Sequence, residues 1–268
     1  MRNKFIEKLV IEAEKDDSII LIVGDLGFNV IEPFSAKFPD RFFNAGICEQ
    51  SMASMAAGMA SEGHKVFIYS IANFPTFRCA EQIRNDICYH NLDVTIVSVG
   101  GGLAYGNLGY SHHAIQDYGL MRLFPEISIL SPGDPIEVDK LFAYILNDSS
   151  PKYLRLRKAG EKNYSNKNGN ISAGKWSKIK YGNSIFLTTG YGLEIAQRLI
   201  KGNEKFSNFG IYTCPIWGPK YNKLQEDQIN QFDVVISVED HMKDCGFGSW
   251  LNESCKSNNV KNKLYNSY

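Results

Sequence analysis

Six cysteines in 268 residues, with no Cys-x-x-Cys pair and no histidine at zinc-ligand spacing, provide neither a disulfide framework nor a structural zinc site. They read as small buried residues of a reduced compartment. Net charge is also lacking: Lys plus Arg is 29 and Asp plus Glu is 29, so no global field draws the chain to nucleic acid or an anionic membrane. Any anion must be met by a local cluster. Long apolar runs are missing, since stretches such as Val94 to Val99 fall far short of the roughly 20 residues that span a bilayer. Arg2 to Lys8 carry scattered charges in place of a leader's apolar core, which makes the cytoplasm the expected location. Internal repeats and low-complexity tracts are absent.

What is present is an ordinary globular composition, 44% apolar and 22% charged, on a length that suits one large or two modest domains. Short β-branched runs at Ile19–Val23, Lys65–Ser70, Val94–Val99, Ile127–Leu130, Tyr153–Leu156, Ile185–Thr189, Gly210–Cys214 and Val234–Val238 read as strands. Amphipathic segments at Lys4–Glu14, Glu49–Glu62, Phe77–Tyr89, Pro135–Leu146, Leu193–Lys201 and Gln225–Gln231 lie between them. That alternation predicts an α/β fold with mainly parallel sheets, whose ligands sit beyond the carboxyl ends of the strands. A stretch rich in Gly, Asn, Ser and Lys divides the chain into a domain at 1–158, a linker at 159–177 and a smaller domain at 178–268.

Four segments carry candidate chemistry. In Asn44 to Gln50, Glu49 stands at a helix entrance, where a carboxylate also simply complements the macrodipole. The helix that follows, Ser51 to Ala60, has small or pliable residues on nearly every face and reads as surrounded, placing Glu49 in low dielectric as a proton donor and acceptor. Next, Phe74 and Phe77 stand three apart at a strand exit and suit either a flat wall for an aromatic ring or core packing. The third segment, Gly100 to His113, has five glycines in its first ten residues and ends on His112 and His113, of which one contacts a ligand and the other packs. Finally, Arg155 and Arg157 share a strand face by the period of two, a geometry that grips a phosphate or guards a sheet edge.

In this order the segments resemble the transketolase family of thiamine-diphosphate enzymes, specifically its pyrimidine-binding and carboxyl-terminal domains. Gly24-Asp25-Leu26, Asn44 to Gln50, Ser70 to Arg84, Gly109 to Asp117 and the Arg155 strand are similar to the first domain; Val238 to His241 with Gly246 to Gly248 are similar to the second. The resemblance implies two α/β domains and ketol transfer between sugar phosphates. It implies that Glu49 hydrogen-bonds the cofactor's aminopyrimidine nitrogen, that Phe74 and Phe77 wall the ring, and that Asp25 and Leu26 lie beside it. His112 would touch substrate oxygens, and Arg155 with Arg157 would meet the sugar phosphate.

Three departures refine this expectation. The family's Gly-Asp-Gly diphosphate and metal site is missing, because neither Gly24-Asp25 nor Gly133-Asp134 is followed by glycine. A separate amino-terminal transketolase subunit is therefore expected to hold the diphosphate and its Mg (or Ca), with self-association into a heterotetramer. Leu108 stands where many members have an Asp that recognises a substrate hydroxyl, and Cys245 replaces a common Gly. The competing readings are a β subunit of a 2-oxo-acid dehydrogenase, a deoxyxylulose-phosphate-synthase-like enzyme and a non-catalytic regulatory subunit. A cysteine hydrolase pairing Cys48 or Cys79 with His112 has no supporting signature.

Overall fold

The β-branched runs become strands. In the computed structural model, which describes residues 1–268, the strands are β1 Ile19–Val23, β2 Phe42–Asn44, β3 Lys65–Ile71, β4 Val94–Val99, β5 Ser128–Leu130, β6 Lys152–Leu156, β7 Ser177–Lys180, β8 Ser184–Thr188, β9 Gly210–Thr213, β10 Ile216–Trp217, β11 Val234–Val238 and β12 Leu264–Ser267. Seven form one sheet in the order β10-β5-β6-β4-β3-β1-β2, and five form another in the order β12-β11-β8-β9-β7. Only the β10–β5 and β7–β9 pairs are antiparallel. β1 and β4 are buried at every residue, as parallel strands covered by helices on both faces should be. The fold is α/β, with two mainly parallel sheets flanked by helices.

Helices Arg2–Ala13 and Pro135–Asn147 cover one face of the larger sheet, with Phe5 and Phe142 rings 5.7 Å apart between them. Pro135 starts its helix correctly: the Asp134 carboxylate accepts the Glu137 N–H at 2.9 Å, and proline's missing donor costs nothing at the first turn. Helix Glu49–Ser61 covers the opposite face through Met52, Ala53, Ala56, Ala57 and Ala60. Its other side, with Ser51, Ser54, Met55 and Gly58, is exposed, so within this chain the helix is covered on one face and not surrounded.

The single helix expected over Phe77–Tyr89 is instead three pieces, Phe74–Phe77, Ala80–Gln82 and Ile83–Cys88. Cys79 leaves helical geometry at φ −122° and ψ 27°, and the last piece is wide-turned, with the Tyr89 N–H reaching back five residues to the Arg84 carbonyl at 3.0 Å. Cys48 and Cys245 are exposed, unlike the other four cysteines. No helix is long and apolar enough to cross a membrane.

The stretch between the two sheets has no regular structure before β7, yet it is pinned. The Tyr164 and Ser165 N–H groups donate to Asp134 Oδ2 at 2.7 and 2.6 Å. The sheets are not independent either, because β10 lies beyond this stretch in sequence and pairs with β5 of the first sheet. Trp217 of β10 packs against Tyr118 on one side and Phe247 and Trp250 on the other, with ring centroids 5.1 to 5.3 Å away. This aromatic seam joins the two cores.

Candidate active site

The exits of β1, β2 and β3 converge on one carboxylate. A Cβ on Gly24 would lie 3.7 Å from Glu49 Cγ and 3.5 Å from Ser70 Oγ, in ordinary van der Waals contact with both, so the β1 exit packs directly beside the Glu49 side chain. Asp25 follows with φ +54°, a left-handed conformation that Asp tolerates better than most residues. Its N–H donates to Asn44 Oδ1 at 3.1 Å, Asn44 Nδ2 donates to Asp25 Oδ1 at 3.0 Å, and Gly46 N–H also reaches Asn44 Oδ1. These bonds lock the two turns that flank the Glu49 helix. Leu26 faces elsewhere, into a recess of about 180 Å³ that it shares with Arg2, Tyr69 and Tyr105.

Glu49 is 3% exposed. Both of its carboxylate oxygens accept from Arg78 Nη1 at 3.1 Å, and the Arg78 guanidinium lies 4.1 Å from the centre of the Phe74 ring. Beside this pair opens a cavity of about 450 Å³ lined by Asn73, Phe74, Phe77, Arg78, Tyr110, Ser111, His113 and Gln116. Asn73 ties its two walls together by donating from Nδ2 to the Ser111 and His113 carbonyls at 3.1 and 3.0 Å. Its Oδ1 is buried with no partner, an acceptor left for something else to satisfy.

The glycine loop delivers both histidines to this wall, pointing apart. His112 stands edge-on to Phe74 at 5.3 Å, and its Nδ1 meets Ser111 Oγ at 3.0 Å. His113, whose Nε2 contacts the Gly106 carbonyl at 3.1 Å, is the one that lines the cavity.

The two arginines at β6 separate, and the expectation that they grip one phosphate together is corrected. Arg155 is 4% exposed, and all five of its N–H donors are used: Nε on Asp117, Nη1 on Tyr118 and Asp240, and Nη2 on the Ala114 and Asp240 carbonyls. No donor remains for a substrate. Arg157 lies just past the end of β6, free of the pleat that would align it with Arg155, and its guanidinium lies 3.1 Å from the centre of the Tyr191 ring. It lines a cavity of about 320 Å³ with Lys158, Lys162 and Arg198. The two carboxylates there are engaged, Glu161 by the Met1 amino group and Glu194 by Arg198, which leaves Arg157, Lys158 and Lys162 without an ion-pair partner.

Residues 1–161 match the family described as "Transketolase, pyrimidine binding domain". The chain belongs to the transketolase family. It is 31% identical over 94% of its length to a subunit of the apulose-4-phosphate transketolase of Actinobacillus succinogenes, of which it spans 82%. Over 98% of its length it is also 31% identical to a putative transketolase C-terminal section of Methanocaldococcus jannaschii, spanning 84% of that protein. Among solved structures, one described as "Split gene transketolase, inactive beta4 tetramer" superposes with a TM-score of 0.83 at 26% identity, covering 99% of this chain and 87% of that one.

Membership of the transketolase family implies thiamine diphosphate, and the residues present fit its pyrimidine ring. An aromatic wall, an unpartnered buried acceptor and a carboxylate shielded from water suit a flat, nitrogen-bearing heterocycle. Of the residues singled out in the sequence, Glu49 stands beside this cavity and Phe74 and Phe77 line it, whereas Arg78, Asn73, Tyr110 and Gln116 had been given no role. Arg78 was the findable one, since a buried carboxylate needs a cation and Arg78 directly follows the Phe74–Phe77 pair.

Proposed function

We propose that this chain is the carboxyl-terminal subunit of a two-component transketolase that moves a two-carbon ketol unit from a ketose to an aldose, with sugar phosphates as substrates. Its domains are 1–158 and 178–268, joined by 159–177. The observation that carries the reading is Glu49, held at 3% exposure beside the aromatic-walled cavity. When bound, thiamine diphosphate supplies the carbon nucleophile for ketol transfer. Glu49 holds a proton at the ring nitrogen, in a site dry enough for that bond to be strong. Arg78, whose side chain is half exposed, pairs with Glu49 and would have to move aside for the carboxylate to reach a ring nitrogen. Phe74 and Phe77 orient the ring, and the Asp25–Asn44 lock sets the entrance to the Glu49 helix. His113, which lines the cavity, meets substrate oxygens while His112 packs beside it against Phe74, and Arg157 with Lys158 and Lys162 meets the phosphate.

The missing Gly-Asp-Gly sequence supports a partner subunit as holder of the diphosphate and its metal. The exposed Ser51, Ser54, Met55 and Gly58 face supports self-association within a heterotetramer. Replacing Glu49 by Ala or Gln should abolish ketol transfer while the two-subunit complex still assembles; a wild-type rate in either variant would end the proposal. A second reading is a deoxyxylulose-phosphate-synthase-like activity, supported by 31% identity to the Clostridium perfringens enzyme, of which the chain spans 41%. Turnover of pyruvate in place of a ketose donor would favour it.

A further inference from the structure

The second sheet reaches the glycine loop through the turn that follows β11. Asp240, 13% exposed at its side chain, accepts from Arg155 Nη1 at 2.6 Å through Oδ1 and from Nη2 at 3.2 Å through its carbonyl. The same Nη2 donates to the Ala114 carbonyl at 2.7 Å, and Arg155 Nε holds Asp117 at 2.7 Å. Ala114 in turn exchanges backbone bonds with Gly102 at 2.8 and 3.0 Å, closing the loop that carries His112 and His113. Two more contacts run from this turn to the loop's far side. Met242 N–H donates to the Ile115 carbonyl at 2.9 Å, and Gly119 N–H approaches His241 Nε2 at 3.4 Å.

The glycines of the loop fit this contact. A Cβ on Gly101 would lie 2.5 Å from Arg155 Nε, and one on Gly102, at φ +64°, would lie 2.2 Å from Asp240 Oδ2. The turn itself is held from behind, because Glu239 accepts the Phe247 and Gly248 N–H groups, each at 2.7 Å.

From this geometry we infer that Asp240 is a positioning residue: through Arg155 the second sheet holds the Gly100–His113 loop in place against Phe74. The latch is local to this chain, and only its effect on turnover rests on the proposed function. An arginine with all five donors engaged across two elements has one arrangement, so removing one carboxylate frees the loop without touching either histidine.

The test is hydrogen–deuterium exchange on the full chain carrying Asp240→Asn. The Gly102 and Ala114 amides should exchange about tenfold faster while β8 and β11 stay at the wild-type rate, and Asp240→Glu should recover most of the protection. Gly102→Ala, which presses on the same contact from the other side, should loosen the same segment. Unchanged exchange at Gly102 and Ala114 in both variants overturns the inference, as does an equal rise across β8 and β11, which would make Asp240 a support of the second sheet alone. With the partner subunit and cofactor present, Asp240→Asn should lower kcat by one common factor on phosphorylated and unphosphorylated sugars. A loss confined to phosphorylated sugars would make Asp240 a substrate contact and overturn the positioning role. If the wild-type complex turns over no sugar, the proposed function fails while the exchange result still judges the latch.

Discussion

Two arginine–carboxylate pairs stand at the carboxyl ends of the first sheet's strands and differ in almost everything but their chemistry. Arg78 meets Glu49 from a side chain that is 48% exposed, whereas Arg155 meets Asp117 and Asp240 from one that is 3% exposed. The first pair borders an open cavity with an unpartnered acceptor; the second has every guanidinium donor satisfied. A half-exposed arginine can leave its carboxylate for a modest cost, while a saturated buried one cannot. Residue type alone therefore does not separate an arginine loosely paired at a cavity from one locked into the fold.

The sharpest break of this comparison is at Glu49, where loss of the carboxylate should cost on the order of a thousandfold or more in ketol transfer, read by a coupled assay on the assembled complex. Stability should distinguish the two arginines next. Arg155→Ala strands the buried Asp117 carboxylate and the half-buried Asp240 and should cost about 3–5 kcal/mol in urea unfolding, against about 1 kcal/mol for Arg78→Ala. Equal costs would erase the distinction.

Acidity offers a third comparison. Burial, aided by neighbouring Asp134, pushes the Glu137 carboxyl up to about 7, and burial outweighs the two backbone donors on Glu239 to push it to about 7 as well. The folded chain then keeps protons that the unfolded chain releases, so the stability from these groups is complete below about pH 4.5 and lost as pH rises to about 7. The contribution is about 3 kcal/mol per group. The urea midpoint should fall between pH 5 and pH 8, and Glu137→Gln should reduce that fall by about half; the same fall in the variant would count against the assignment.

Smaller effects sharpen the picture at the edges. Arg157→Ala should raise KM about tenfold for phosphorylated sugars and leave unphosphorylated ones nearly unchanged, while equal changes on both would remove its phosphate role. Cys245 holds φ +60°, a left-handed conformation that suits glycine, so Cys245→Gly should stabilise the chain by about 1 kcal/mol in thermal unfolding. A lower melting temperature would show that the cysteine side chain contributes more than its strain costs.

Most strands were legible because they are short, largely buried β-branched runs: β1, β4 and β11 lie where the residues place them. The missed strands are short or end-lying pieces, and β10, two residues long, exists only because β5 presents an edge to it. The break at Cys79 was illegible because the aromatic spacing around it suits one continuous helix. At the site, the burial of Glu49 agrees with the expectation drawn from the small-residue helix it opens, although that helix is covered on one face only, and Phe74 lines the cavity as its spacing to Phe77 suggested. The division of labour between His112 and His113 was not, since adjacent residues are distinguished only by the loop's path.

Local pattern by itself determined the alternation of strands and helices, the place of Glu49 at a helix entrance and the absence of a Gly-Asp-Gly sequence, because these depend on residue type and short-range order. Tertiary structure decided what each charge does. Arg155 and Arg157 are neighbours but one in sequence, yet the first is enclosed by Asp117 and by Asp240, which lies 85 residues away, while the second stacks on Tyr191 at an open cavity. Which donors of an arginine are already engaged depends on contacts that only the folded chain brings together.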